Sequence, residues 1–154
     1  MSDFDKAFEI VVGIEDGYVN DPRDPGGETK YGISKRAHPN IDIKNLTLDG
    51  AKAIYKQDYW DKVKGDVINW PVNYLLFDYA VNSGVHQAIS TLQRTLQVTI
   101  DGVIGPITLQ KANQMDEESH SLFLADRALY MAGLPTFKTF GRGWLKRLFF
   151  IARK

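Results

Sequence analysis

A chain of 154 residues that is 44% hydrophobic and 12% aromatic carries enough apolar side chain to fill one core, which excludes a wholly disordered polypeptide. It has no cysteine, which excludes a disulfide scaffold, a thiol nucleophile and a thiolate metal site. The 19 basic and 19 acidic residues cancel only in sum: up to Lys30 there are eight acids against three bases, and beyond Asp126 seven bases and no acid.

The basic tail, from Arg127 to Lys154, can face an anionic partner or be the solvated flank of a helix. No recognisable nucleic-acid-binding fold accompanies it, so nucleic acid is not expected as a partner. No run approaches the ~18–20 apolar residues of a membrane span. The opening segment MSDFDKAFEIVVGIEDGY carries acids where a secretory signal needs positive charge, so synthesis in the cytoplasm is expected.

In chain order, Phe4, Ala7, Phe8, Val11, Val12 and Glu15 recur at three and four, which predicts a helix over Phe4–Ile14, with Asp3 and Asp5 suiting its start. A crowd of Gly, Pro and Asp from Gly17 to Gly27 ends it and supplies loop or hairpin geometry. Thr29 to Ala37 suits a short helix or a strand remnant. Thr47 is a good N-cap for LDGAKAIYKQDYW, and Pro71 opens a third helix that ends at AVNSG. Val85 to Leu96 continues with Ala88, Ile89, Leu92 and Leu96 on one face. Asp101-Gly102 is a turn, Gly105-Pro106 starts another helix, and Glu117 to Met131 is the longest periodic segment. Trp144 to Ala152 is an aromatic, basic, amphipathic tail, suited to burial on the preceding helices or to a membrane surface.

Two polar clusters interrupt this pattern. In GIEDGYVNDPRDPGGETKYGIS, Glu15 stands at the end of an apolar helix face. An apolar wall behind a carboxyl group raises its pKa and makes it a proton donor near neutral pH, although a glutamate there can equally just solvate a helix end. Asp24 follows nine residues on, restrained by Pro22 and Pro25. Paired carboxylates suit glycoside hydrolysis, where one protonates the leaving oxygen and the other activates water, attacks or steadies the sugar cation. Asp24 can also be an Asx-turn residue, and Asp21 competes with it. Thr29 offers a hydroxyl for a water and Tyr31 an aromatic edge for a sugar ring. The second cluster, FDYAVNSGVHQA, offers Asn82 and Ser83 to an acetamido group or to a helix cap. His86 has no His or Cys partner at ligand spacing, so neither a metal nor any other cofactor is expected. DPGGETKYG and DGVIGP lack the phosphate-loop and dinucleotide patterns.

EDGYVNDPRDPGGETKYGIS resembles the signature of the glycoside hydrolase family 108 lysozyme-like proteins. IYKQDYWDKVKGD resembles that family's next helix. LFDYAVNSGVHQAISTLQRTLQV with DGVIGPITLQ resembles its C-terminal, peptidoglycan-binding portion. The resemblance runs nearly the whole chain in order. It implies a mainly α, lysozyme-like single domain over 1–154 with a small Gly/Pro-rich loop or hairpin lobe. Residues 1–90 would form the catalytic portion and 91–154 a peptidoglycan-binding-like helical portion packed in the same domain.

The activity implied is that of an N-acetylmuramidase, found among bacteriophage endolysins and secretion-associated wall-remodelling proteins, which cuts the beta-1,4 bond between N-acetylmuramic acid and N-acetylglucosamine. The family's catalytic glutamate falls on Glu15, and Asp24 and Thr29 resemble the remaining members of a Glu–Asp–Thr arrangement whose last gap is one residue short here. Asn20, Tyr31, Asn82 and Ser83 match positions expected to line the cleft. Asp16 stands where the family has its first Gly after the glutamate. The partners implied are peptidoglycan glycan strands and, for a monomeric phage protein acting at the periplasmic wall, a holin or other export route. A non-catalytic peptidoglycan-binding or secretion-associated protein is the alternative.

Overall fold

Helix α1 (Asp3–Val11) starts in a capping box: Ser2 Oγ accepts from the Asp5 amide at 3.1 Å and the Asp5 carboxylate takes the Ser2 amide at 3.3 Å. The computed structural model describes residues 1–14 and 16–154; Glu15 lies outside them. The helix buries Phe4, Ala7 and Phe8, as its period predicts, but closes before Ile14. The amides of Val12 and Gly13 both fold back onto the Phe8 carbonyl, at 2.8 and 3.1 Å, and use up the ladder.

The Gly/Pro/Asp excursion is a small antiparallel sheet of β1 (Val19–Asn20), β2 (Glu28–Lys30) and β3 (Ile33–Ser34), in that spatial order. Val19 lies opposite Thr29 and Asn20 opposite Glu28, while Thr29 and Lys30 face Ser34 and Ile33. The segment after Thr29 is therefore strand, not helix. Tyr31 and Gly32 make the two-residue turn between β2 and β3 with φ of +52° and +74°. Successive positive φ values mark a type I′ turn, whose twist matches that of the flanking strands.

Helix α2 (Leu48–Tyr55) begins at Thr47, whose hydroxyl accepts from the Gly50 amide at 3.0 Å. It runs into a five-residue π-helical turn, Lys56–Trp60, that sinks Trp60 completely. The Trp60 ring lies 5.6 Å from that of Phe4 and 5.5 Å from that of Phe77, and its Nε1 donates to Asp66 at 2.9 Å. Helix α3 (Val72–Ser83) is buried without a break from Val72 to Ala80. A helix apolar on every face belongs at the centre of a fold, and the others wrap it.

Gly84 joins α3 to α4 (Val85–Leu96) at φ +96°, a conformation that costs glycine nothing and other residues a clash. Helices α5 (Pro106–Ala112), α6 (Glu117–Ala132) and α7 (Phe137–Ala152) follow. The buried side chain of Gln93 clamps the DGVIGP loop to α4: its Oε1 accepts from the amides of Asp101 and Gly102, and its Nε2 reaches Asp101 Oδ1 at 2.8 Å and the Val103 carbonyl at 2.9 Å. Helix α7 starts two turns before its sequence period suggests. Gly141 and Gly143 weaken local propensity there, and packing of Phe137 against Trp144 at 6.3 Å overrides it. Its Leu148 and Ile151 enter the core while Phe140 and Phe149 stay exposed. One cluster of buried apolar residues runs from Phe4 to Ile151. Among the described residues the architecture is thus mainly α with a three-stranded hairpin lobe, as expected, and no helix is long and apolar enough to cross a membrane.

Candidate active site

The expected glycan-facing residues fall into two groups. Asn20, Thr29 and Tyr31 sit on or beside the sheet, with Asn20 exposed on β1 and Thr29 half-buried in the middle of β2. Asn82 and Ser83 end α3. Glu15, expected as the proton donor, lies outside the described residues, but the segments on either side of it are anchored. The Val11 carbonyl accepts from Arg147 Nη2 at 3.0 Å, and the Asp16 carbonyl accepts from the Tyr31 amide at 2.7 Å.

The hairpin turn is held from below. Tyr31 is a bulky residue in the left-handed region, and its two backbone groups are both engaged: the amide donates to Asp16, and the carbonyl accepts from the Tyr55 hydroxyl at 2.8 Å. A Cβ on Gly32 would come within 2.6 Å of that same hydroxyl, so the turn is seated on Tyr55. Burial pushes the Tyr55 phenol up to about 12, which keeps it a donor at any physiological pH. Strained backbone over-determined by its surroundings is a feature of functional sites. On the other edge, the Tyr18 hydroxyl donates to Glu28 at 2.7 Å, and that bond raises the Tyr18 pKa.

Asp24 is exposed, and its Oδ1 accepts from the Gly26 amide at 2.8 Å, so one oxygen forms an Asx-turn and the second has no hydrogen-bond partner among the described residues. Asp21, its competitor, is tied to Arg23 by the backbone amide and by both Nε and Nη2 at 2.9–3.1 Å, which lowers its pKa. Of the two, Asp24 keeps the freer carboxylate oxygen. Asp16 uses its own Oδ1 to take the Tyr18 amide at 3.1 Å, and the neighbouring Gly17 adopts φ +55°. Asp16 thus acts as a turn-former.

Asn82 and Ser83 border a cavity of about 240 Å³ closed by α6 and α7, with Arg127, Tyr130, Trp144 and Arg147 in its lining. Asn82 is exposed and its Nδ2 donates to the Asp78 carbonyl at 2.8 Å. Beneath the cavity, fully buried Asp78 takes Arg127 Nη1 on one oxygen at 2.6 Å, and Arg147 Nη2 and Nε on the other at 2.5 and 3.2 Å. Two members of the basic tail are therefore drawn inward, while Lys138, Arg142, Lys146, Arg153 and Lys154 remain exposed. Read from the sequence, Arg127, Trp144 and Arg147 belong only to the basic, aromatic tail, and Asp78 carries no expected role. The available signal was Asp78 itself: a lone acid inside the apolar run NYLLFDYA has to find a cation once that helix is buried. Among the described residues no group of three or more His, Asp or Glu side chains could hold a metal.

The family described as Glycosyl hydrolase 108 matches residues 8–84, a stretch that contains every expected catalytic and glycan-lining position. No curated protein sequence matches the chain. Among solved structures, SagA of Brucella abortus superposes with a TM-score of 0.82 at 36% identity, over 97% of this chain and 92% of that one. With half of its length matched from α1 to the glycine after α3, and its whole fold shared with SagA, the chain belongs to the glycosyl hydrolase 108 family.

Proposed function

We propose that this glycoside hydrolase is a peptidoglycan-degrading N-acetylmuramidase that hydrolyses the beta-1,4 bond between N-acetylmuramic acid and N-acetylglucosamine, with Glu15 as proton donor. The observation that carries the reading is the extent of the family match: residues 8–84 take in Glu15, Asn20, Asp24, Thr29, Tyr31, Asn82 and Ser83 in order. The glycan would lie between the hairpin lobe and the end of α3. Glu15 gives its proton to the bridging oxygen as the bond to the muramic acid C1 breaks, leaving an oxocarbenium-like sugar. A water then adds its hydroxide to C1 and gives its proton to Asp24 or to the Glu15 carboxylate. Asp24, with Thr29, orients that water or steadies the cation. A carboxylate separation of about 6.5–9.5 Å favours inversion and about 5–5.5 Å retention.

In the cell the role proposed is that of a monomeric endolysin reaching the periplasmic wall through a holin-like partner. A second reading, a wall-binding protein without turnover, draws on Asp24, one oxygen of which is committed to its own loop, and on Asp16, which the resemblance places in the position of a glycine.

Purified protein is expected to clear a suspension of outer-membrane-permeabilised Gram-negative cells and to release new reducing ends on muramic acid. Glu15→Gln should abolish both with an unchanged melting temperature. Release of free amino groups would reject the muramidase reading, and binding to wall without any product would favour the second.

A further inference from the structure

The pair of helices α6 and α7 is covered by the rest of the fold on one side only. Phe123, Met131, Leu148 and Ile151 enter the core, while Phe149 stays 65% exposed. In α7, Arg142, Lys146, Phe149 and Arg153 recur at i, i+4, i+7 and i+11, so they form one stripe down the helix, and Lys138 extends it by a turn. Phe149 stands between two hollows. On one side Arg142, Lys146 and Arg153 share with it a hollow of about 580 Å³. On the other it walls a groove of about 280 Å³ between the two helices, where Leu124, Ala125, Ala128, Leu145 and Leu148 lie and Ser121 is the one polar residue among the described residues.

The charge on this face has one sign. Helix α7 holds no acid, and its one ion-paired cation among the described residues, Arg147, is turned inward to Asp78. Lys138, Arg142, Lys146 and Arg153 are all exposed. On α6, Asp126 is held by the Thr95 hydroxyl of α4 at 2.7 Å. Glu117 and Glu118 stand in the first turn of α6, at the end of the groove where Ala152 lies, so Arg153 and Lys154 are the cations nearest to them. Lys138, Arg142 and Lys146 are left in excess.

An aromatic ring ringed by long cations beside an apolar groove has the pattern of a helix that lies in a membrane interface. The Lys and Arg stems run along apolar surface while their charged heads reach the phosphates above, and the ring and groove meet the hydrocarbon below. A surface that is cationic and apolar together is complementary to an anionic bilayer, which supplies both chemistries at once.

We propose that the α6–α7 face is a peripheral docking surface for an anionic phospholipid bilayer, with Phe149 as the inserted side chain and Lys138, Arg142, Lys146 and Arg153 at the headgroups. The inference does not depend on which bond the enzyme cuts.

The test is co-sedimentation of the full-length protein with two kinds of vesicle, phosphatidylcholine alone and equal parts phosphatidylcholine and phosphatidylglycerol. At low salt the anionic vesicles should bind at least about 10-fold more tightly, and added salt should remove the difference. Arg142→Gln and Lys146→Gln should each weaken that binding on the order of 5-fold, whereas Lys62→Gln, at an exposed cation outside α6 and α7, should leave it unchanged. Phe149→Ala should weaken it about 10-fold and keep the salt dependence, since it removes only apolar contact. All four positions are exposed or, for Phe149, largely so, and melting temperatures should match wild type. Equal binding to both vesicles, or an equal loss in Lys62→Gln and Lys146→Gln, overturns the proposal. A concentration-dependent dimer in sedimentation velocity that Phe149→Ala dissolves would give the face to a second copy and overturn it too.

Discussion

Arg147 of α7 grips Asp78 of α3 through Nη2 and Nε, at 2.5 and 3.2 Å, and spends the same Nη2 on the carbonyl of Val11 at the end of α1. One side chain near the C-terminus thus locks the central helix to the helix that leads into Glu15. The end of α1 is held by a residue more than a hundred positions away in the chain.

Asp78→Asn should be among the most damaging single changes, costing about 3–5 kcal/mol, because it leaves two guanidinium groups around a neutral amide. Arg147→Met should cost less, since Asp78 keeps Arg127. Urea denaturation of both variants checks the order. Hydrolysis by Arg147→Met should fall further than its stability does, through the loosened end of α1.

Asp24→Asn preserves the oxygen that accepts from Gly26, so its melting temperature should match wild type. If the carboxylate orients or deprotonates water, turnover should drop about 10²–10⁴-fold. Reducing-end assays at saturating substrate give the answer, and a full-speed Asp24→Asn enzyme would remove Asp24 from the mechanism.

Alkali should undo the seat of the hairpin. Burial raises the folded Tyr55 phenol from its ordinary 10.0 to about 12, so its contribution to stability is complete below pH 10.0 and is lost as pH rises toward 12. The ionised phenol also can no longer donate to Tyr31. Chemical denaturation across that range should show a decline that is smaller in Tyr55→Phe, whose own deficit at neutral pH should be about 1 kcal/mol for one lost hydrogen bond.

Gly32→Ala should destabilise by more than about 1 kcal/mol, since the position has φ +74° and its new Cβ would meet the Tyr55 hydroxyl at 2.6 Å. In a double-mutant cycle, Tyr55→Phe should recover the steric share of that loss and not the backbone share. Simple additivity would mean that the turn does not rest on Tyr55.

Much of this protein is determined by local sequence. The apolar periods of α1, α3, α4 and α6, the Thr47 cap, Pro106 at a helix start and the Gly84 break all act within a few residues, so they can be read off the chain. The glycine- and proline-rich loop with Glu15, Asp24 and Thr29 is legible for the same reason. What the chain does with Arg127 and Arg147 is not. Read locally they belong to a basic, solvated flank; only the burial of α3 on every face leaves Asp78 without water and draws both guanidinium groups inward. Likewise Asn82 and Ser83 read as a helix end, and become part of a charged cavity only where α6 and α7 close over them. Hydrogen bonds and turns within a few residues write themselves into sequence, whereas desolvation depends on which helices cover which, and that is decided by the assembled fold.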